Sequence, residues 1–401
     1  QGALGSNTTA NNNTAVGYVA LNANTTGRDL VAIGSGALDA NTTANNNVGI
    51  GKNALGVNTT GAGNIAIGAA SLDANTTASN NVAIGTGALG ANTTGNNNTA
   101  VGYLALDVNT IGTENVAVGI NALGTNQDGS RMVAIGRSAL GSYDPSSATN
   151  AYNVAVGYDA LTSTSTGTNN TAVGGLALRL NTTGSNNVAV GGSVFAANTT
   201  GGNNVAVGHE ALNNCTTGTN NTSLGLQANQ VTTTGQNNTM IGILCRASSA
   251  TVSNEVVLGS NGMVGKGAST AFISAGNGAV FAGNNSANFA TTSDRRIKKN
   301  IQGNSTGLAE IMQVDVKNFE YRTEDEITEL SPACAIHKQG TQLGVIAQEI
   351  QTVLPDMVKT ESTGCMSVDP ANMTWYLVNA VKELKQQLDE ANARIATLES
   401  N

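Results

Sequence analysis

One short unit recurs along the first two thirds of the chain and limits what it can fold into. The tetrad Val-Ala-Val/Ile-Gly, or a close variant, ends at Gly17 and recurs every 17 residues through Gly259, with one interval of 21 between Gly136 and Gly157. Seventeen residues cannot form a domain, but they can form one coil of a solenoid that buries its apolar residues only against its neighbours. The repeat therefore predicts a mostly β solenoid shaft over residues 1–260.

A single coil carries both strand and turn signals. In the segment at 81–85, Val82 and Ile84 alternate with Ala83, which is the period-two pattern of a strand. We expect Val and Ile to face the interior, and Ala and Gly to face outward, where a neighbouring chain could pack. The Asn-Thr-Thr-Gly at 92–95 has turn chemistry. Stacking at about 4.8 Å would then align Asn and Thr side chains in hydrogen-bonded ladders.

Charge marks a domain boundary near residue 293. Of the 44 charged residues, 17 lie in residues 1–292 and 27 in the last 109. The net charge of −8 argues against nucleic acid as a partner.

No apolar run is long enough for a transmembrane helix, and no signal peptide is visible. The start without Met favours a piece of a longer protein.

The cysteines and histidines give no sign of a metal or cofactor site. Four cysteines lie far apart without metal-ligand spacing, and we interpret them as unpaired buried thiols rather than a disulfide framework. The two histidines, His209 and His337, stand alone and are interpreted as structural. We therefore expect no metal and no cofactor.

Three functions remain open for the shaft: a rod without a ligand, a receptor- or glycan-binding fibre, and an ice-binding face. Tyr18, Tyr103 and Tyr158 each follow a tetrad glycine, so we expect them on one line, where they could stack on sugars or simply pack. Single acidic residues after the Ala/Ser-Leu pair are expected to be exposed and to keep the rod soluble; these are Asp39, Asp73 and Asp107. No carboxylate pair recurs, so a glycosidase site is not expected.

The period fails after Gly259, and the chemistry changes at residue 293. We expect an irregular β neck over 261–292. Ser293-Asp294 has the pattern of a helix N-cap, with the following Arg and Lys residues on a solvated face. Further on we expect a strand at 316–321, a strand leading into a helix at 343–350 that Pro355 ends, and a last helix from about residue 371.

The last helix carries a heptad seam of apolar residues. Val381, Leu388 and Ile395 occupy position a, and Leu377, Leu384, Ala391 and Leu398 occupy position d. This pattern predicts a short oligomeric coiled coil over about 374–399. A helix buried in the core of one domain is the alternative.

The repeat resembles the head repeats of trimeric autotransporter adhesins and similar arrays in phage tail fibres. This resemblance covers about residues 1–260. It implies a trimeric, left-handed parallel β-roll or β-solenoid shaft, followed here by a small α+β domain that ends in a coiled-coil helix.

The C-terminal segment carries a second resemblance. Ser293-Asp-x-Arg-x-Lys298-x-Asn-Ile, Leu343-Gly-Val-Ile-Ala-Gln-Glu-Ile and the terminal helix are similar to the intramolecular chaperone of the endosialidase type, peptidase family S74. The resemblance implies that residues 293–401 trimerise, nucleate folding of the fibre and then cut themselves off. It implies a catalytic dyad of Ser293 and Lys298 and a scissile bond between Thr292 and Ser293. The aromatic residue that the family commonly has after the Asp is Pro370 here.

These patterns lead to one expected function and two alternatives. We expect a homotrimeric viral tail fibre shaft that attaches to a host surface receptor, with a carbohydrate as the expected receptor, without membrane insertion. It would be made in the host cytoplasm and reside in the virion, and the only enzymatic activity would be single-turnover self-processing. The alternatives are a bacterial cell-surface trimeric adhesin, which should end in a membrane β-anchor, and a self-processing protease without an adhesive role.

Overall fold

The chain folds into two compact units, residues 1–292 and residues 293–401. The structure is a computed structural model that describes residues 2–400 except 146, 260–261, 275–278, 283–288, 291–294, 296–297, 331–337 and 361–363. The first unit is a β-solenoid and the second is a small mixed unit that ends in a long helix. The expected fold class, a mostly β chain with few helices, is confirmed.

Each coil of the solenoid contributes one short strand, and successive strands pair in parallel. The tetrad alanines lie directly above one another, so that Ala83 pairs with Ala66 on one side and with Ala100 on the other. The strands are β1 (Thr14–Val16), β2 (Val31–Ile33), β3 (Val48–Ile50), β4 (Ile65–Ile67), β5 (Val82–Ile84), β6 (Thr99–Val101), β7 (Val116–Val118), β9 (Val133–Ile135), β11 (Val154–Val156), β12 (Thr171–Val173), β13 (Val188–Val190), β14 (Val205–Val207), β15 (Thr222–Leu224), β16 (Thr239–Ile241) and β17 (Val256–Gly259). At about 4.8 Å per coil, fifteen coils span about 70 Å.

The strand faces are opposite to those expected from the sequence. Ala83 is fully buried, whereas Val82 is half-buried and Ile84 is 37% exposed. The interior space beside the strand is filled by the leucine of the Ala-Leu pair: a Cβ added to Gly49, in the alanine position, would lie 3.2 Å from Leu38 Cγ. Because a branched side chain would not fit against that leucine, alanine faces inward. Val and Ile form two columns on the outer face, which we call the outer stripe.

Two columns of buried asparagines line the turns, and the predicted ladders are confirmed. In the first column, Asn41 Nδ2 donates to Asn24 Oδ1 at 3.1 Å and to the Ala44 carbonyl at 3.2 Å. In the second, Asn47 Oδ1 accepts from the Asn64 backbone N–H at 2.8 Å. Threonine hydroxyls in the turns donate to the next coil in the same way. The amides thus satisfy backbone groups that would otherwise be buried without partners.

The coil between Gly136 and Gly157 interrupts both asparagine columns. Tyr143 stands in the first column and Met132, one coil earlier, in the second, and both are fully buried. They meet beside Gly129, where an added Cβ would lie 2.8 Å from Tyr143 Cε1. Burial raises the pKa of Tyr143 to about 12, and its hydroxyl has no partner among the described residues. Two extra strands, β8 (Gly129–Ser130) and β10 (Thr149–Asn150), pair at this corner.

The end of the solenoid is closed by a buried carboxylate. Glu255 occupies the second asparagine column, and its side chain accepts the backbone N–H groups of Ser248 at 2.9 Å and of Gly267 at 2.6 Å. Strand β18 (Ala271–Ser274) adds one more parallel pairing, and β19 (Ala279–Ala282) and β20 (Phe289–Ala290) then pair antiparallel. This is the part of the chain for which the sequence indicates an irregular β neck.

The described part of the second unit contains three helices and two antiparallel strand pairs. Its elements are α1 (Leu308–Ile311), β21 (Lys317–Phe319), β22 (Gln342–Gly344), α2 (Ala347–Val353), β23 (Val358–Thr360), β24 (Met366–Val368) and α3 (Met373–Glu399), with 3₁₀ turns at Glu324–Glu326, Pro355–Met357 and Pro370–Asn372. The pairs β21–β22 and β23–β24 are antiparallel. A small core forms from Ile350, Leu354, Met357 and Tyr376.

Candidate autoprocessing site and oligomer surfaces

The predicted dyad lies at the boundary between the two units. Thr292 and Ser293 fall outside the described residues, so the assignment of the nucleophile and of the scissile bond stays a prediction. Lys298 is described: it is exposed, and its backbone N–H donates to the Arg295 carbonyl at 3.1 Å. The side chain of Arg295 is exposed as well.

The basic segment forms no α-helix where the structure describes it: Arg295 lies in a 3₁₀ turn, and its carbonyl accepts from the Lys298 backbone N–H. Residues 298–307 have no helical turn, and α1 begins only at Leu308. The expected helix with basic residues on a solvated face is therefore not found at Lys298 and Lys299, whereas its predicted start at Ser293-Asp294 lies outside the described residues.

Helix α3 holds the segment that follows Lys298. Asn379 Nδ2 donates to the carbonyls of Asn304 at 3.1 Å and Thr306 at 3.0 Å, and Glu383 Oε2 accepts from the Leu308 backbone N–H at 2.9 Å. The sequence pattern gives no hint of this link, because the contacts join residues more than 70 positions apart. It couples the position of the basic segment to the helix that carries the heptad seam.

A second polar cluster connects the N-terminal end of α3 to the 3₁₀ turn that begins at Pro355. The Tyr376 hydroxyl donates to Asp356, and Asn372 Nδ2 donates to the same carboxylate at 2.8 Å. The hydrogen bond from Tyr376 lowers the pKa of Asp356, and the same bond raises the pKa of Tyr376 to about 12. This cluster fixes the direction in which α3 leaves the small core.

Gln348 and Glu349 belong to the motif at 343–350, and we interpret them as residues that make folding contacts; one of the two makes such a contact. Glu349 Oε1 pairs with Lys317 Nζ at 2.5 Å and links α2 to β21. The hydrogen bond that Lys317 donates to this carboxylate raises the pKa of Lys317. Gln348 is exposed on the helix surface.

The heptad seam is uncovered along α3. Of the 27 residues of the helix, only Tyr376 and Ala380 are buried. The seam residues Leu377, Val381, Leu384, Leu388, Ala391, Ile395 and Leu398 are all exposed. The alternative of a helix buried in the core of one domain therefore does not describe this seam.

On the shaft, the expected positions of the single side chains are only partly correct. Tyr18, Tyr103 and Tyr158 follow tetrad glycines and are all exposed. The three aspartates are half-buried rather than exposed, and burial raises the pKa of Asp73 and Asp107. Each of these two carboxylates lies over a glycine of the preceding coil, which removes part of its water shell.

Among the thiols and histidines, Cys215 and Cys245 are buried as expected. Cys365 is half-buried and His209 is exposed, while Cys334 and His337 lie outside the described residues. Within the described part of the chain, no cluster of His, Cys, Asp or Glu could hold a metal ion. No described helix is both long and apolar enough to cross a membrane.

Together, the two units define a class of protein: a long β-solenoid that is followed in the chain by a small C-terminal domain. Residues 293–359 match the family described as Peptidase S74, chaperone of endosialidase, so the second unit carries a domain of that family. A chaperone domain of this kind behind a 17-residue-repeat solenoid fits a tail fibre. No curated protein and no solved structure matches the chain.

Proposed function

We propose that this chain is a viral tail fibre shaft for host attachment, assembled as a homotrimer by a C-terminal chaperone that then releases itself. The observation that carries the proposal is the S74 match that begins at residue 293, where the solenoid unit ends. Register between long parallel strands of separate chains is slow to find and prone to slippage. A domain that trimerises early raises the effective concentration of the three shafts and aligns them.

The outer stripe supports the homotrimer. It consists of two columns of Val, Ile and occasional Thr or Leu that run the length of the shaft, with residues such as Ile67, Ile84 and Ile135 more than a third exposed. Contiguous exposed apolar surface on this scale is typical of an interaction site. Another copy of the same chain is the occupant with the matching length and repeat, because both would present the same two columns at the same 17-residue spacing.

The second unit presents apolar residues that also favour association. Leu343 is 74% exposed, Trp375 is 66% exposed, and the α3 seam is uncovered over about six helical turns. Packing of three seams against one another would bury all of these seam residues.

We expect Leu388→Glu to prevent trimer formation in the full chain, because a carboxylate would be buried at the centre of the seam. Ala393→Glu is the matched control, since it adds the same charge on the opposite face of the same exposed helix. Sedimentation should give three chains for the wild type and for Ala393→Glu, and fewer for Leu388→Glu. A wild-type monomer would contradict the trimer.

The proposed release is a self-cleavage in two steps. Lys298 Nζ takes the proton of the Ser293 hydroxyl, and Oγ attacks the Thr292 carbonyl carbon. The C–N bond breaks, the Ser293 nitrogen leaves as an amine after receiving that proton, and an ester joins Thr292 to Oγ. Water then hydrolyses the ester, giving a Thr292 carboxylate and the restored hydroxyl. A Lys acts as a base only when burial or neighbouring cations lower its pKa.

Cleavage is tested by comparing purified wild type with Ser293→Ala and Lys298→Ala. We expect wild type to yield fragments 1–292 and 293–401, with Ser293 at the new N-terminus by mass spectrometry. Both variants should remain at about 40 kDa. Lys299→Ala, which changes the adjacent lysine, should still be cleaved. Intact wild type, or cleavage in Ser293→Ala, would contradict the mechanism.

Host attachment and location in the virion follow from the same proposal. The shaft would project from the particle after release of the chaperone, and its receptor would be a host surface carbohydrate. Removal of the chaperone would leave the trimeric shaft kinetically trapped, because unfolding would require many coils to separate without the domain that aligned them.

A further inference from the structure

The regular surface of the solenoid is interrupted in one place. Around the 21-residue coil, the column that follows the tetrad glycines carries Tyr103, Ile120, Arg137 and Tyr158 in succession, all exposed. The positive-φ column that holds asparagine in most coils carries Glu114, Arg131 and Tyr152 instead. The two inner asparagine columns are broken in adjacent coils, by Met132 and then by Tyr143. Several independent columns therefore depart from the repeat together.

A groove opens at this place because two glycines follow one another. From Asp39 to Gly124, the position after the Ala/Ser-Leu pair alternates between aspartate and glycine, and Asp73 and Asp107 each cover the glycine of the preceding coil. A Cβ added to Gly56 would lie 3.2 Å from Asp73 Oδ1, and one added to Gly90 would lie 3.1 Å from Asp107 Oδ1. The next two coils have Gly124 and Gly141, so no side chain from the following coil covers Gly124.

The resulting concave surface, which we call the double-glycine groove, is lined by polar side chains. Asp107 lies at one end and Thr162 at the other, and Asn121, Ser138, Gly124 and Gly141 lie between them. The groove spans four successive coils, or about 14 Å along the shaft. It is therefore long enough for an extended ligand.

The chemistry of the lining selects the ligand class. Hydroxyls and an amide can both donate and accept, and the Asp107 carboxylate accepts from hydroxyl donors. The lining contains no Lys or Arg among the described residues. Arg137, close by in sequence, already donates to the Tyr158 hydroxyl at 3.1 Å and lies over its ring. The surface is thus suited to an uncharged ligand rich in hydroxyl groups and unsuited to a carboxylated or phosphorylated one.

We propose that the double-glycine groove is the receptor site of the shaft and binds an uncharged oligosaccharide. This inference rests on the proposed function of host attachment, and it adds the position of the site and the charge of the sugar. The Asp107 carboxylate at the end of the groove would repel acidic glycans. The groove would therefore distinguish uncharged surface polysaccharides from acidic ones.

The site is tested with Gly141→Asp, which restores the aspartate-over-glycine pattern and fills the groove. Gly141 does not have positive φ, and its column holds aspartate in other coils, so the shaft should tolerate the change. Ala196→Asp adds the same side chain in the same column, away from the groove, and is the matched control. Thr162→Val removes one lining hydroxyl while keeping the shape of the side chain.

The probe is an array of immobilised bacterial surface oligosaccharides, both uncharged and acidic, incubated with the labelled full chain. We expect wild type and Ala196→Asp to bind uncharged members, Thr162→Val to lose affinity severalfold, and Gly141→Asp to lose it at least about tenfold. Undiminished binding by both groove variants, or binding of acidic members only, would overturn the groove and leave carbohydrate attachment standing. No binding by wild type to any member would contradict both.

Discussion

Gly119→Ala is expected to destabilise the shaft by about 4 kcal/mol, because the tetrad glycine has no room for a side chain and a backbone that side chains avoid. Gly119 has φ +136°, and a Cβ added there would lie 2.5 Å from the Gly136 carbonyl oxygen. That oxygen belongs to the backbone of the next coil, so the clash can be relieved only by separating two stacked coils. The tetrad glycines from Gly17 to Gly242 all have positive φ and face the same restriction.

Gly175→Ala is the matched control for this prediction. Gly175 follows a tetrad glycine in sequence, its φ lies outside the positive region, and an added Cβ would meet no atom within 4 Å. We expect little change or a gain of up to about 1 kcal/mol, since alanine restricts the unfolded chain. The measurement is guanidinium unfolding of the full chain, with hydrogen exchange in the coils around each site. Equal midpoints for the two variants would contradict the packing described for the tetrad.

Asn98→Leu is expected to cost about 3 kcal/mol, because it removes hydrogen bonds that the backbone cannot replace. Asn98 Nδ2 donates to the Gly112 carbonyl at 2.8 Å, and Asn98 Oδ1 accepts from the Asn115 backbone N–H at 3.0 Å. Leucine has a similar size but can do neither, so a buried N–H and a buried carbonyl oxygen lose their partners. Each such group costs about 1–3 kcal/mol.

Asn214→Leu, at an exposed position, is the control for the buried Asn98→Leu variant. Its side chain makes one hydrogen bond, to the Gln230 carbonyl at 2.8 Å, at a position open to water. Asn214→Leu should therefore change the unfolding free energy by less than about 1 kcal/mol. If the two asparagine variants unfold at the same denaturant concentration, the buried columns do not stabilise the shaft as described.

The period of the sequence was enough to predict the solenoid, but not which side of each strand faces inward. Alternation of Val82, Ala83 and Ile84 defines two faces and leaves open which of them is buried. The general preference for burying the larger residues gave the wrong choice. The deciding factor is the width of the coil, which the leucine from the opposite wall already fills, and no local pattern reports that width.

The C-terminal unit shows a different limit. The strand at Lys317–Phe319, the strand before α2, the helix that ends before Pro355 and the long α3 all follow local patterns and were predictable. The hydrogen bonds of Asn379 and Glu383 to residues 304–308 were not, because they depend on tertiary packing between distant segments. The basic segment looked helical because Ser293-Asp294 has cap chemistry, yet beyond the 3₁₀ turn at Arg295 the described residues form no helix before α1.

The double-glycine groove could have been found in the sequence by comparing columns rather than coils. Written in rows of 17, the chain shows Gly124 directly followed by Gly141 where aspartate is due. The residues that every coil shares define the solenoid. A specific site is formed instead by the residues in which a few neighbouring coils differ from the repeat.

The constant register has a consequence for how shafts of this kind can vary in length. Since each residue lies above its counterpart 17 positions away, deleting one whole coil, such as residues 175–191, would shorten the shaft by about 4.8 Å and leave every column continuous. Insertion or deletion of part of a coil would shift the following strands and turns out of register. The 21-residue coil shows that extra residues are accommodated at a corner. Reach can therefore change in whole-coil steps through duplication or loss of repeats, without any compensating change at either end.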